Sequence, residues 1–312
     1  MRGIFYNNSE KRLRSGWRIL VFLILFWCLA ALTLAIKPLF GSMTKREYLE
    51  NFSLMIIGIL AISATLSVWI SRKYLDKKSI VSMGLKPSKR AWTDLFFGFL
   101  LSAAMAGIFL FIAVKLNLVE INSINWEHRS FDLTTLSGYK SMMQTFAMAT
   151  LVFLLLEHVL VGYWEELVFR GYLFQNMSSG MGRLPAILLS CVIYGVVHSM
   201  NPNATLLSSS IIILFGFLRI YGYLATGMLW LSMGMHIGWN FFQGPIFGFA
   251  ASGHQTATWL ELEILEPNWL SGGSFGPEGS LLIIPIVLLA LMAMKVWSNR
   301  GRMTFSKQPL IS

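Results

Sequence analysis

The 312-residue chain is 55% hydrophobic and 13% charged, with a mean hydropathy of +0.61. A water-soluble domain carries charge on about a quarter of its residues, so this composition excludes one and predicts a chain folded inside a bilayer. The net charge of +10 argues for no nucleic-acid partner, because the basic residues gather at the ends of apolar runs and leave no separate basic face.

A helix needs roughly 20 apolar residues to cross the hydrocarbon core. In chain order, the runs predict eight spans at 17–36, 51–70, 95–116, 143–165, 185–200, 205–225, 227–247 and 280–297. The expected fold class is therefore all-α: a polytopic integral membrane helix bundle of about eight transmembrane helices. It forms one domain over 1–312, with tails at 1–16 and 298–312. The first run is long and lacks an A-x-A-like site, so it reads as a span and not as a cleavable signal. Segments 1–16, 71–91, 175–185 and 295–312 hold 16 Lys and Arg, against 5 in the alternate segments 37–50, 117–142, 199–204 and 248–279. The positive-inside rule then places both termini in the cytoplasm. The short basic N-terminus and compact loops fit a bacterial plasma membrane. Cys28 and Cys191 both fall inside spans and support neither a disulfide framework nor a cysteine metal site.

The segment GLKPSKRAWTDL (84–95) reads as a cytoplasmic linker entering the third span. The fourth run closes on YWEELVFRGYLF (163–174), which carries three charges. Residues four apart share a helix face, so Glu166 and Arg170 can pair, while Glu165 is rotated about 100° away and is left for another use. An ionisable group within a span costs ~2.5–3.5 kcal/mol on insertion scales and marks a functional site by default. The plain alternative is that the motif lies in cytoplasmic water just past the fourth span.

The fifth span contains YGVVHS, with Tyr194 and His198 four apart; the seventh contains MHIGWNFF, with His236 and Asn240 four apart. Either histidine alone reads as a packing group bonded across helices. Two histidines, an asparagine and a spare glutamate in neighbouring spans point instead to a shared polar interior. With the turn between the fourth and fifth helices centred on 182, within SSGMGRLP (178–185), Glu165 and His198 come level. That requires the fourth helix to continue past 165 or to bend near Gly162. His158, seven residues before Glu165, reads as structural. Glu157 faces a neighbouring helix or an aqueous cavity. Gly227, Gly234, Gly238 and Gly244 suggest close helix approach around the seventh span. The 248–279 loop, with Trp259, Trp269, Glu261, Glu263, Glu266 and Glu278, is expected on the outer surface.

These motifs resemble those of the CPBP family, the CAAX proteases and bacteriocin-processing enzymes, also called the Abi family and related to the type 2 CAAX prenyl proteases. EELVFR fits its EExxxR motif and HIGWN its HxxxN motif. YGVVH resembles its FxxxH motif, with Tyr194 where the family usually has Phe. The three occur in the family's order over the core segment 143–247. The resemblance implies an intramembrane endopeptidase acting on a peptide or protein substrate at the membrane, either prenylated or a precursor peptide. It implies Glu165 as general base, His198 helping to hold the water, His236 and Asn240 as the oxyanion site, and Glu166 and Arg170 as the brace.

The chemistry is coherent in itself: peptide hydrolysis needs a base for water, a proton for the leaving amine and donors for the oxyanion. Glu165, His198 and His236 also match the ligand count of a catalytic zinc. The chain has no HExxH, so a mechanism with no metal cofactor is preferred and zinc is the alternative. Two other classes remain open: a non-enzymatic immunity or scaffold protein, and a proton-linked carrier, for which inverted repeats would be expected and none is visible.

Overall fold

A computed structural model describes residues 2–36, 38, 53–124 and 147–304. Among them each expected span has a helical counterpart, and the molecule is a helical membrane bundle. The helices are α1 (Ser15–Ala30), α2 (Ser53–Ile70), α3 (Lys89–Lys115), α4 (Ala147–Glu166), α5 (Phe174–Met181), α6 (Arg183–His198), α7 (Leu206–Thr226), α8 (Trp230–Phe241) and α9 (Ile283–Thr304). Among the described residues, four helical stretches are long and apolar enough to cross a membrane: Ser15–Ala35, Ser53–Leu75, Lys89–Lys115 and Leu206–Thr226. Residues 37, 51–52, 143–146 and 305–312, which the sequence reading gave to loops, spans and the C-terminal tail, lie outside the described residues. The tail expected from 298 is helical as far as Thr304.

Helix starts follow local chemistry. Ser88 accepts from the Ala91 amide at 3.0 Å to begin α3, and Thr205 and Ser208 form a reciprocal capping box at the start of α7. The fourth span does not stop at 165. From α4 the chain passes through π-helical turns at Leu167–Leu173 directly into α5, forming one rod from Ala147 to Met181. Gly182, at φ 85°, then reverses the chain into α6.

α8 lies at the centre, with Leu231–Trp239 buried throughout. A Cβ on Gly234 would stand 2.0 Å from the Leu95 carbonyl oxygen, and one on Gly238 would stand 2.6 Å from that of Phe99. The α3 and α8 backbones therefore touch there, as small residues in a membrane bundle allow. Gly227 and Gly244 do not share this role. Gly227 takes the left-handed conformation (φ 70°) that ends α7, and Gly244 makes only ordinary contacts.

Two apolar cores flank this centre. One contains Phe22, Leu167, Tyr172 and Tyr194; the other contains Phe109, Phe215, Trp239 and Phe249. At one end of the bundle, the buried Asp76 carboxylate accepts from Arg18 at 2.5 Å, Arg72 at 2.9 Å and Asn176 at 3.3 Å, joining α1, the turns after α2, and α5. The all-α expectation also missed two short ribbons. Tyr6–Asn7 pairs with Arg12–Leu13, and Val119–Ile124 pairs antiparallel with Leu260–Ile264. The second ribbon straps the connection after α3 to the 248–279 loop.

Candidate functional site

Glu165 and Glu166 end α4 and take opposite environments. Glu166 is fully buried. Its Oε1 accepts from Arg170 Nη1 at 3.1 Å and from His236 Nδ1 at 3.0 Å, and its Oε2 accepts from Ser232 Oγ at 2.6 Å. The expected Glu166–Arg170 pair is thus present, and it does more than brace one helix, because the same carboxylate reaches α8 and holds the His236 ring. A carboxylate oxygen only accepts, so His236 carries its proton on Nδ1 and turns Nε2 the other way.

Glu165 points to a different set of groups. Its Oε2 accepts from the Tyr194 hydroxyl at 3.1 Å and lies 3.7 Å from His236 Nε2. No hydrogen bond reaches its Oε1 among the described residues. The carboxylate keeps 13% of its side chain exposed, against 0% for Glu166. One glutamate is therefore locked by three donors and the other keeps a free oxygen. This division follows from the 100° rotation between successive helical residues.

His198 sits one turn beyond Tyr194. Its Nδ1 donates to the Tyr194 carbonyl at 2.8 Å, and the two rings lie 4.3 Å apart. Among the described residues it makes no hydrogen bond to Glu165; the α6 side chain that reaches Glu165 is Tyr194, one turn earlier on the same face. Asn240 follows His236 by one turn on α8, is half-buried, and makes no side-chain hydrogen bond among the described residues, so its amide is available as a donor. Glu165, Glu166, Arg170, Tyr194, His198 and His236 are joined by direct contacts; Asn240 lies one turn along α8 from His236.

Three further groups escaped the sequence reading. Arg219, buried in α7, donates through Nη1 to the Tyr194 hydroxyl, and its carbonyl lies 2.9 Å from Ser232 Oγ. A single arginine inside the apolar run LLSSSIIILFGFLRIYGYL was a legible signal. Ser232 and Glu278 carried none. Glu278, at the end of the 248–279 loop, is 1% exposed; it accepts from Trp239 Nε1 at 2.8 Å and from Ser252 Oγ. It lies close enough to act electrostatically on His198 and Arg219. The loop expected wholly on the surface thus sends one carboxylate into the bundle.

His158 is buried with neither ring nitrogen bonded, and Glu157 accepts from Ser53 at 3.2 Å. Neither touches the cluster through a hydrogen bond. Cys28 and Cys191 are both free thiols.

Residues 146–242 match the family model described as "Type II CAAX prenyl endopeptidase Rce1-like". The matched segment contains the EExxxR, YxxxH and HxxxN motifs and is consistent with the CPBP resemblance. The chain is also 27% identical over 192 residues to the uncharacterized protein YyaK of Bacillus subtilis (strain 168), a stretch covering 59% of this chain and 58% of that one. The chain thus spans less than two thirds of that relative's length. Together the family match and the apolar helices support a membrane protease.

Proposed function

We propose that this protein is an intramembrane endopeptidase in which Glu165 activates water against a peptide bond of a membrane-associated substrate. The observation that carries this reading is the unequal pair: Glu166 is saturated by Arg170, His236 and Ser232, while Glu165 beside it has one oxygen on Tyr194 near His236 and the other unbonded among the described residues. A purely structural pair would bury and satisfy both carboxylates.

In the proposed reaction, Glu165 takes a proton as water oxygen bonds to the carbonyl carbon, and the carbonyl electrons move to oxygen. The Asn240 amide, a donor in every protonation state, steadies that oxyanion. His236 donates beside it through Nε2 when its ring is protonated. Collapse of the intermediate breaks the C–N bond, and the proton held by Glu165 passes to the leaving amine. His198 fixes Nδ1 on the Tyr194 carbonyl and offers Nε2 to the water. Glu166 and Arg170 hold His236 and the rod. Substrates are peptides or proteins at the bilayer, prenylated or precursor peptides included, and the site opens to a membrane whose cytoplasmic side holds both termini.

A zinc ion would require Glu165, His198 and His236 to converge. Among the described residues no group of three His, Cys, Asp or Glu side chains is arranged to hold a metal.

The test is cleavage of a quenched peptide library, with farnesylated members, by the purified detergent-solubilised protein. Glu165→Gln should abolish turnover in a folded protein, and a zinc chelator should leave the wild type active. Undiminished turnover by Glu165→Gln would remove Glu165 as base, and loss on chelation would return the metal reading.

A further inference from the structure

We infer that Arg219 and Tyr194 form a positioning relay for Glu165, in which Arg219 fixes the Tyr194 hydroxyl and that hydroxyl fixes one oxygen of the base. The relay rests on the reading of Glu165 as base. It extends that reading to a residue outside the three motifs and to the position where this chain departs from the resembling family's usual Phe.

The direction of the relay is forced by chemistry. A guanidinium only donates, so the bond between Arg219 Nη1 and the Tyr194 hydroxyl uses a phenol lone pair. The phenol proton must then go elsewhere, and Glu165 Oε2 accepts it at 3.1 Å. Arg219, Tyr194 and Glu165 thus form a one-way chain across α7, α6 and α4. The Tyr194 ring cannot drift: the Arg170 guanidinium lies 4.2 Å over its centroid and the Phe169 ring meets it edge-on at 4.9 Å. Phe at 194 would keep this stacking and lose both hydrogen bonds.

The charged and titratable groups around the relay are Glu166 and Arg170 on the rod that carries Glu165, Tyr194 and His198 on α6, Arg219 on α7 and His236 on α8, with Glu278 acting on Arg219 and His198. Of these, Tyr194 alone donates a hydrogen bond to Glu165, and it does so to the oxygen that also faces His236. The other oxygen is thereby turned away from the protein donors and toward the place where a water is needed. A buried arginine in the middle of an apolar helix is costly. The Glu166, Glu278 and Glu165 carboxylates lie near enough to offset its charge, and its side-chain hydrogen bond among the described residues goes to the Tyr194 phenol.

The test uses the full chain in nanodiscs, with Tyr194→Phe, Arg219→Gln and the double variant. Against a cleaved library peptide, Tyr194→Phe should lower kcat roughly ten- to hundredfold with KM unchanged, as expected for loss of a bond to a charged group. Adding Arg219→Gln to Tyr194→Phe should change kcat little further, because Arg219 acts through the hydroxyl. A second readout needs no turnover: labelling of Glu165 by a hydrophobic carbodiimide, followed by peptide mass, with Glu165→Gln as the blank. Labelling should accelerate in Tyr194→Phe. Unchanged labelling, or wild-type kcat in Tyr194→Phe, would overturn the relay. If wild type cleaves nothing, the protease reading fails and the labelling rate still decides whether the relay exists.

Discussion

Replacing Glu166 by Gln while keeping its size tests what the buried carboxylate does. The side chain is fully buried and accepts three hydrogen bonds, one from Arg170, itself only 2% exposed. Gln can still accept from Ser232 or His236, so the main loss is the negative charge opposite a buried guanidinium. Breaking a buried pair by removing one partner costs about 3–5 kcal/mol. We expect Glu166→Gln to destabilise the fold by about 3 kcal/mol, the low end of that range, because the shape is kept. Arg170→Met should also destabilise, by the unpaired Glu166 and by the lost stacking on Tyr194, worth roughly 1–2 kcal/mol. The double variant should lose less than the sum of the two, since no buried charge is then left alone. Unfolding in detergent, followed by tryptophan fluorescence, measures all three. Strict additivity, or a Glu166→Gln protein as stable as wild type, would refute the claim that this pair holds the site together. A stable but inactive Glu166→Gln with an active Glu165→Gln would exchange the roles of the two glutamates.

Two other outcomes follow from the geometry. Asn240→Ala removes the free amide donor beside His236 and should lower kcat roughly 100- to 1000-fold with little change in stability, read from steady-state cleavage and the unfolding midpoint. Gly234→Val places a side chain where even a Cβ would stand 2.0 Å from the Leu95 carbonyl oxygen, so α3 and α8 must separate. The expectation is loss of folded protein on size-exclusion chromatography, and a monodisperse, active Gly234→Val would show that this contact is not required.

The bundle was legible because lipid demands it: long apolar runs have few ways to satisfy their backbone other than as helices. The pairing of Glu166 with Arg170 was legible from spacing alone, and so was the convergence of EELVFR and MHIGWN, since polar groups in an apolar bundle seek one another. Which α6 residue meets Glu165 was not: Tyr194 and His198 share a face, so spacing does not separate them, and it is the longer phenol of Tyr194 that makes the hydrogen bond. Ser232 and Glu278 were invisible because one serine in a span and one glutamate in a loop are unremarkable until tertiary packing buries them. Arg219 could have been found, as a lone charge in an apolar run. The ribbon between VEINSI and LELEI alternates apolar and polar residues as strands do, but each run is short and its partner lies far away in sequence.

The Asp76 cluster reaches the site through the rod. The rod from Ala147 to Met181 is uninterrupted, and its C-terminal end is held through Asn176 to Asp76 and through Ser179 to Arg18. Those bonds fix the azimuth of the rod, not merely its depth. A rotation of about 100° is all that separates adjacent residues on a helix, so that rotation would carry Glu166 to the face Glu165 now occupies. The choice of which glutamate meets Tyr194 is therefore made jointly by the site and by a carboxylate some three helical turns away along the rod. Asp76 acts as the angular stop of the rod.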